Sequence, residues 1–206
     1  MEKLFKDLPA RQLSRGQILI YEGDPVDNIY FLVSGYVKVS NLLVDGTSRT
    51  IFVYVPGDAF PLTSYLSGVG IARYFYECMT ETEVKVMPQK KFQALIKGNL
   101  ELGEQLIAYT YELNQQFTDR IETLTARSAR HKVAALLAYL AGRAGSQQQD
   151  RTRLNIPLTS QNIADMCNLT RETASLQMVH LRKEGVVQGS RHLTIDGQRL
   201  QKILVS

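Results

Sequence analysis

The chain has 206 residues, 44% hydrophobic and 21% charged, with a formal net charge of +4. That length suits one large or two small domains, and the composition excludes a disordered or low-complexity chain. No apolar run approaches the roughly 18 residues that span a bilayer, and the opening stretch MEKLFKDLPARQLSRG lacks a signal-peptide core, so a cytoplasmic protein is expected.

From Gln17 to about Val86, short apolar stretches alternate with turn residues: QILIYEGDP, NIYFLVSG, YVKVSNLLVDG, RTIFVYVPGD and TEVKVMP. Val37, Val39 and Leu42, like Ile51, Val53 and Val55, fit half-buried strands. Asp45-Gly46 is a hairpin signal, and Gly16, Gly23, Gly35 and Gly57 recur where strands should end. An all-β sandwich or barrel of about eight strands is expected. The segment SGVGIAR holds a glycine pair but lacks a phosphate-loop pattern. Cys78 lies in this half and Cys167 far from it; they read as small buried hydrophobes rather than a disulfide or metal pair.

At Gln89 the pattern turns helical, first in QKKFQALIKGN. Over residues 100–124, Leu102, Leu106, Tyr109, Leu113, Phe117, Ile121 and Leu124 recur at spacings of three and four. They form one stripe on a helix roughly 37 Å long. Such a stripe is close to a coiled-coil seam, so Leu106, Tyr109, Leu113, Phe117, Ile121 and Leu124 are the expected interface of a two-fold homodimer. A helix packed within its own chain is the alternative.

Residues 126–206 hold 12 basic and 5 acidic residues, a local +7, which directs the search for a polyanion partner to this third of the chain. SARHKVAALLAYLAGRAG reads as a helix, SQQQDRTRLN as a polar loop, and two helices with a basic hairpin follow. In TSQNIADMCNLTRETASLQMVHLRKEG, Thr159 and Thr170 can each cap a helix, and Asn168 suits a left-handed turn between them. Ile163, Met166 and Cys167 point inward, and Ala164 is small where a second helix must cross. These features make a helix-turn-helix. On the second helix Ala174, Met178 and Leu181 form the core face. Arg171, Glu172, Ser175 and Leu176 are the candidate base readers, because Arg grips guanine O6 and N7 while Glu accepts from cytosine N4. Thr159, Ser160, Gln161, Thr170, Thr173 and Arg182 are candidate phosphate contacts, as are Arg191 and His192 at the tip of the hairpin, which reads as a wing. Leu176 and Val179 fall on the wet face: Leu176 either meets a thymine methyl or packs under the wing or a neighbouring helix.

At this point the chain resembles Crp/Fnr-type transcription regulators over nearly its whole length. The resemblance rests on RGQILIYEGDPVDNIYFLVSGYVKVS, DGTSRTIFVYVPGD, TETEVKVMP and TSQNIADMCNLTRETAS, in that order. It implies an α+β architecture: an antiparallel β-roll or jelly roll like a cyclic-nucleotide-binding domain (1–98), a long dimerisation helix (99–125) and a winged helix-turn-helix domain (126–206). It further implies a homodimer on double-stranded DNA, reading two-fold symmetric half-sites roughly 34 Å apart, with RNA polymerase as a further partner. The family's reading motif is commonly Arg-Glu-Thr, small residues, then Arg. Arg171, Glu172, Thr173 and Ser175 match, but Leu176 stands where the last Arg would be.

The effector site departs more. The family's nucleotide binders carry Gly-Glu shortly after the PGD turn, where this chain has Pro61 and Leu62. Their Arg-Ser or Arg-Thr, for the cyclic phosphate, aligns with Ala72 and Arg73, one residue out of register, which sends the cation to the other face of a strand. The polar pair on the long helix becomes Phe117-Thr118. Cyclic AMP is therefore not the expected effector. Leu62, Thr63, Arg73, Tyr74 and Thr118 remain a candidate pocket for an unidentified small molecule, with Tyr65 and Tyr76 as possible aromatic lining. Two cysteines cannot supply the four ligands of an iron–sulfur cluster, and His131, His180 and His192 all lie in the last third, away from a haem-sensing position. No cofactor or metal is expected.

Paired carboxylates, metal-spaced His/Cys sets and nucleophile elbows are missing from the sequence, so an enzyme is not expected. A DNA-binding regulator is the leading expectation, either ligand-switched or always competent. The alternative is a cyclic-nucleotide-regulated interaction module without specific DNA binding, disfavoured because the DNA-reading half is the better preserved.

Overall fold

The computed structural model describes residues 1–44, 46–66, 68 and 70–205. Its contacts divide the chain into two compact units, 1–42 with 51–115, and 43–50 with 116–206.

In chain order the elements of the first half are α1 (Glu2–Phe5), β1 (Ala10–Leu13), β2 (Ile18–Ile20), β3 (Asn28–Ser34), β4 (Val37–Leu42), β5 (Ser48–Tyr54), β6 (Ala59–Phe60), α2 (Leu62–Leu66), β7 (Phe75–Cys78), β8 (Thr82–Pro88), α3 (Gln89–Ile96) and α4 (Leu100–Thr125). The strands form two four-stranded sheets, ordered β1-β8-β3-β6 and β2-β7-β4-β5. This is the expected antiparallel roll. Asp45 of the expected hairpin turn lies outside the described residues, as do Ser67 and Val69 of the SGVGIAR segment. Gly46 has φ 79° and donates its N–H to Leu43 O at 2.9 Å. Gly35 is a position where no side chain fits: its φ is +86°, and a Cβ there would lie 2.6 Å from Thr82 Oγ1.

Aromatic rings fill the space between the two sheets. Phe60 stacks on Tyr54 (centroids 4.8 Å apart), Tyr76 (5.7 Å) and Tyr30 (5.6 Å), and Phe52 meets Tyr54 edge-on at 5.1 Å. Tyr54, Phe60 and Tyr76 are fully buried. A second cluster joins Phe5, Ile29, Phe31, Ala59, Leu62, Met87, Phe92 and Leu106. Leu106 thus caps the roll from α4. Tyr109, one turn on, packs against the same cluster, and its hydroxyl accepts from Ala59 N–H at 2.7 Å.

That packing corrects the expected seam. Leu106 and Leu113 are buried by their own chain, and Tyr109 is half-buried with its hydroxyl bonded to Ala59, so this part of the stripe serves its own chain. The roll has an apolar end that needs cover, and the richest stripe of α4 supplies it. The exposed apolar residues of α4 are Leu100, Ile107, Tyr111, Ile121 and Leu124. Leu100, Ile107, Asn114 and Ile121 are spaced by sevens, with Tyr111 and Thr118 four residues after two of them, a coiled-coil period on a different face of the helix. Phe117 is half-buried.

The second half contains α5 (Ala129–Ala144), β9 (Gly145–Gln148), β10 (Arg151–Leu154), α6 (Ser160–Cys167), α7 (Arg171–Lys183), β11 (Val187–Gln188), β12 (Thr194–Asp196) and α8 (Gly197–Leu204). Ser128 caps α5 by accepting from His131 N–H at 3.2 Å. The stretch read as a polar loop is in fact the hairpin β9–β10, with Gln149 at φ 51° in its turn. It joins the wing in a sheet ordered β11-β12-β10-β9. Its polar composition hid the strands, since only Leu154 of β10 is fully buried. Helix α8, also unexpected, is capped by Asp196 and buries Leu200 and Ile203.

Candidate nucleic-acid interface

The helix pair is built from its caps inward. Thr159 Oγ1 accepts from Asn162 N–H at 3.1 Å, and Asn162 Oδ1 accepts from Thr159 N–H at 3.0 Å, a reciprocal capping box. The Thr159 hydroxyl also donates to Asn162 Oδ1 at 2.8 Å. That hydroxyl is consumed by the cap, which corrects its expected use on a phosphate. Helix α6 ends at Asn168, φ 54° and ψ 52°, the left-handed turn expected there. Thr170 then caps α7, accepting from Thr173 N–H at 3.2 Å, and the two threonine hydroxyls share a 2.9 Å bond that leaves one hydrogen free to donate outward.

Ile163, Ala164, Met166 and Cys167 of α6 meet Ala174, Met178 and Leu181 of α7 in the buried core, with Val133, Ala134, Leu136, Leu137 and Leu140 of α5. This interior fixes which side of α7 faces out. Arg171, Glu172, Leu176, Val179 and Lys183 are exposed, and Ser175 is half-buried beside them. The structure leaves Leu176 uncovered by the wing or a neighbouring helix, with 53% of it exposed. Ser160 is half-buried, and Gln161, exposed, donates to Asp165 Oδ1 at 2.6 Å.

The wing is fixed to α7. Arg182 Nε donates to Gly189 O at 2.9 Å, so Arg182 anchors the wing as well as carrying charge at the surface. Gly189 has φ +88°, and a Cβ there would collide with His192 O, which makes glycine obligatory at this corner. Arg191 and His192 are exposed beyond it. The far end of α7 is clamped too: Arg130 forms a two-point pair with Glu184 at 2.7 and 2.6 Å, and Arg199 Nη1 donates to Glu184 O at 2.7 Å.

Sequence reasoning overlooked Arg120. It is buried, and it donates to Thr123 Oγ1, to Met166 O of α6 and, at 3.2 Å, to Thr50 O. Burial lowers its pKa, while Cys167 and Tyr139 pull it the other way. Its spacing of seven from Leu113 and fourteen from Leu106 was the available signal, since those positions share one face of α4. Cys167 is buried and free, and burial pushes its thiol up to about 12.

The candidate effector residues have different surroundings. Leu62 is locked in the apolar cluster under α1 and α3, whereas Thr63 and Arg73 are exposed and Tyr74 is half-buried. Thr118 is exposed on the C-terminal stretch of α4. Ala72 is buried where an anion-binding arginine would have to point inward. A cyclic nucleotide needs an acceptor for its ribose hydroxyl and a cation for its phosphate. Leu62 and Ala72 supply neither, and the residues do not fit that ligand.

Comparison with known proteins agrees with both halves. A family model described as the cyclic nucleotide-binding domain matches residues 10–99, and one described as the Crp-like helix-turn-helix domain matches residues 131–203. The transcriptional activator protein FnrL of Cereibacter sphaeroides is 25% identical over 193 residues, covering 90% of this chain and 75% of that protein. A CRP-like cAMP-activated global transcriptional regulator of Mycobacterium tuberculosis is 26% identical over 201 residues, covering 97% and 89%. Among solved structures, FixK2 from Bradyrhizobium japonicum superposes with a TM-score of 0.82 at 22% identity, over 95% of this chain and 96% of that one. Two capped helices behind an outward Arg-Glu pair, an antiparallel roll ahead of them, and relatives that share both across most of their length lead to one assignment: the chain belongs to the Crp/Fnr family of DNA-binding transcription regulators.

Proposed function

We propose that the protein acts as a homodimer on a two-fold symmetric DNA site, with Arg171, Glu172 and Ser175 reading base edges in each half-site. The carrying observation is that Arg171 and Glu172 stand exposed at the amino end of α7 while Ala174, Met178 and Leu181 hold the helix from behind. Thr170, Thr173, Arg191 and His192 supply phosphate contacts around that face, and the amides opening α7 add to them. Ser160, Gln161 and Arg182 flank it. The dimer pairs along the exposed side of α4, through Ile107, Tyr111 and Ile121. In this division of labour residues 1–98 form the sensor-derived roll, 99–125 the dimer helix and 126–206 the DNA reader. The protein works in the cytoplasm beside RNA polymerase, as a regulator rather than an enzyme.

Cyclic AMP is not its effector. The mycobacterial relative is cAMP-activated by name. Here Leu62 and Ala72 stand where that chemistry needs a carboxylate and a cation, and both are buried. The regulator is either competent without a ligand or switched by a different molecule.

Selection of duplexes from a random library by the full chain tests the reading. The expected product is a palindromic site whose affinity falls steeply with salt, a slope of log affinity on log salt of about −5 or steeper for six or more phosphate contacts. Affinity should be the same with and without cyclic AMP or cyclic GMP. Enrichment of no sequence, or binding unchanged by salt, would remove the DNA-reading proposal. A tenfold gain on adding cyclic AMP would remove the effector conclusion.

A further inference from the structure

Helix α7 exposes two apolar side chains on the face that carries its charged readers. Leu176 is 53% exposed and Val179 is 40% exposed with the wing in place. At 100° per residue, Glu172, Leu176 and Val179 lie within an arc of about 60°. Leu176 and Val179 are about 4.5 Å apart along the axis, against about 3.4 Å for one base-pair step, so the two can reach neighbouring steps. Single exposed aliphatics are ordinary on a protein surface. Two adjacent ones between Glu172 and Lys183, on the helix that the proposed function seats in the major groove, need a partner that is apolar inside a polar groove. The C5-methyl of a pyrimidine is the one apolar group that B-DNA offers there. An arginine at 176 would instead grip guanine.

We infer that Leu176 and Val179 are specificity-determining residues that select C5-methylated pyrimidine, thymine above all, at one or two adjacent positions of each half-site. The inference rests on the proposed seating of α7 in the groove. Glu172 at the amino end then fixes the register, and the apolar pair reads the neighbouring step. Leucine offers a guanine O6 no hydrogen bond, so guanine at that position is desolvated without return. The preference thus has an attractive and a repulsive half.

The test uses the full chain and the site it selects from a random library. Each thymine is replaced singly by deoxyuridine, which removes the methyl and nothing else. Burying one methyl is worth about fourfold in affinity, so the same replacement in both half-sites should weaken binding about 15-fold at the positions read by the pair. Leu176→Ala, with both residue types good helix formers at an exposed site, should keep its thermal stability and lose that sensitivity at one position; Val179→Ala should lose it at the neighbouring one. Leu176→Arg should shift the preference there to guanine. Cytosine and 5-methylcytosine duplexes at the sensitive position then separate the two sources of the methyl, and tighter binding of thymine than of 5-methylcytosine assigns thymine. If the library yields no preferred site, the seating of α7 itself is wrong. If a site is selected but the deoxyuridine scan is flat and Leu176→Ala binds with the wild-type base profile, the seating stands and the methyl-reading inference is overturned.

Discussion

The relocated face of α4 makes the sharpest quantitative prediction. Ile121 is 60% exposed in the single chain. Full burial of an isoleucine side chain is worth about 1.5–3 kcal/mol, so covering the exposed part in both copies stabilises a dimer by roughly 2–3.5 kcal/mol. Ile121→Ala forfeits most of that, and the dimer dissociation constant should rise about 30- to 300-fold. Leu106, by contrast, is buried against Phe5, Phe31 and Phe92. Leu106→Ala should cost about 2–5 kcal/mol of folding stability, lowering Tm by on the order of 10 °C, with little direct effect on subunit affinity. Sedimentation over a dilution series reads the first quantity and a thermal melt the second. If Leu106→Ala separates the subunits at unchanged Tm while Ile121→Ala leaves them associated, the assignment of the two faces is reversed and the reasoning fails.

Further expectations concern the DNA-binding half. Gly189→Ala places a side chain at φ +88° against His192 O; it should cost about 1–3 kcal/mol and weaken binding equally on all duplexes, measured by melting and by fluorescence anisotropy. Thr159→Ala removes the hydroxyl that caps α6 and should cost about 1 kcal/mol in urea unfolding, without changing base preference. Burial raises the thiols of Cys78 and Cys167, the latter from 9.0 to about 12. Folded values above unfolded ones mean that this stabilising contribution is complete below pH 9 and is lost as pH rises toward the folded values. The urea midpoint should fall across pH 9–11 more steeply in the wild type than in Cys167→Ala, and native protein at pH 7.5 should resist iodoacetamide at Cys167.

Much of this architecture was legible because its signals are local. Caps at Thr159 and Thr170 and the left-handed Asn168 depend on residues within one turn, and the alternation Val37-Lys38-Val39 marks the start of the strand Val37–Leu42, although Leu42 itself is exposed. What escaped depends on contacts distant in sequence. The stripe through Leu106 and Tyr109 has the period of a coiled coil whether it meets a partner helix or the end of a roll, and periodicity alone does not say which. Hairpin β9–β10 is built from glutamines, arginines and a threonine whose strand character comes from pairing with β12. Helix α8 was visible in principle, since Asp196, Leu200 and Ile203 carry a cap and an apolar spacing. Arg120 was masked because an isolated cation on a long helix ordinarily faces water, and its acceptors at Thr50 and Met166 are distant in sequence.

The rings between the two sheets have a consequence for how this regulator could ever change its trigger. Placing a carboxylate there by Leu62→Glu would bury it among Phe5, Phe31 and Phe92, a penalty of several kcal/mol. Making room for a purine would require shrinking Tyr54, Phe60 and Tyr76 together, because each is the packing surface of the others. Each such step loses packing before it gains a ligand, so the filled chamber works as a ratchet against acquiring a purine site.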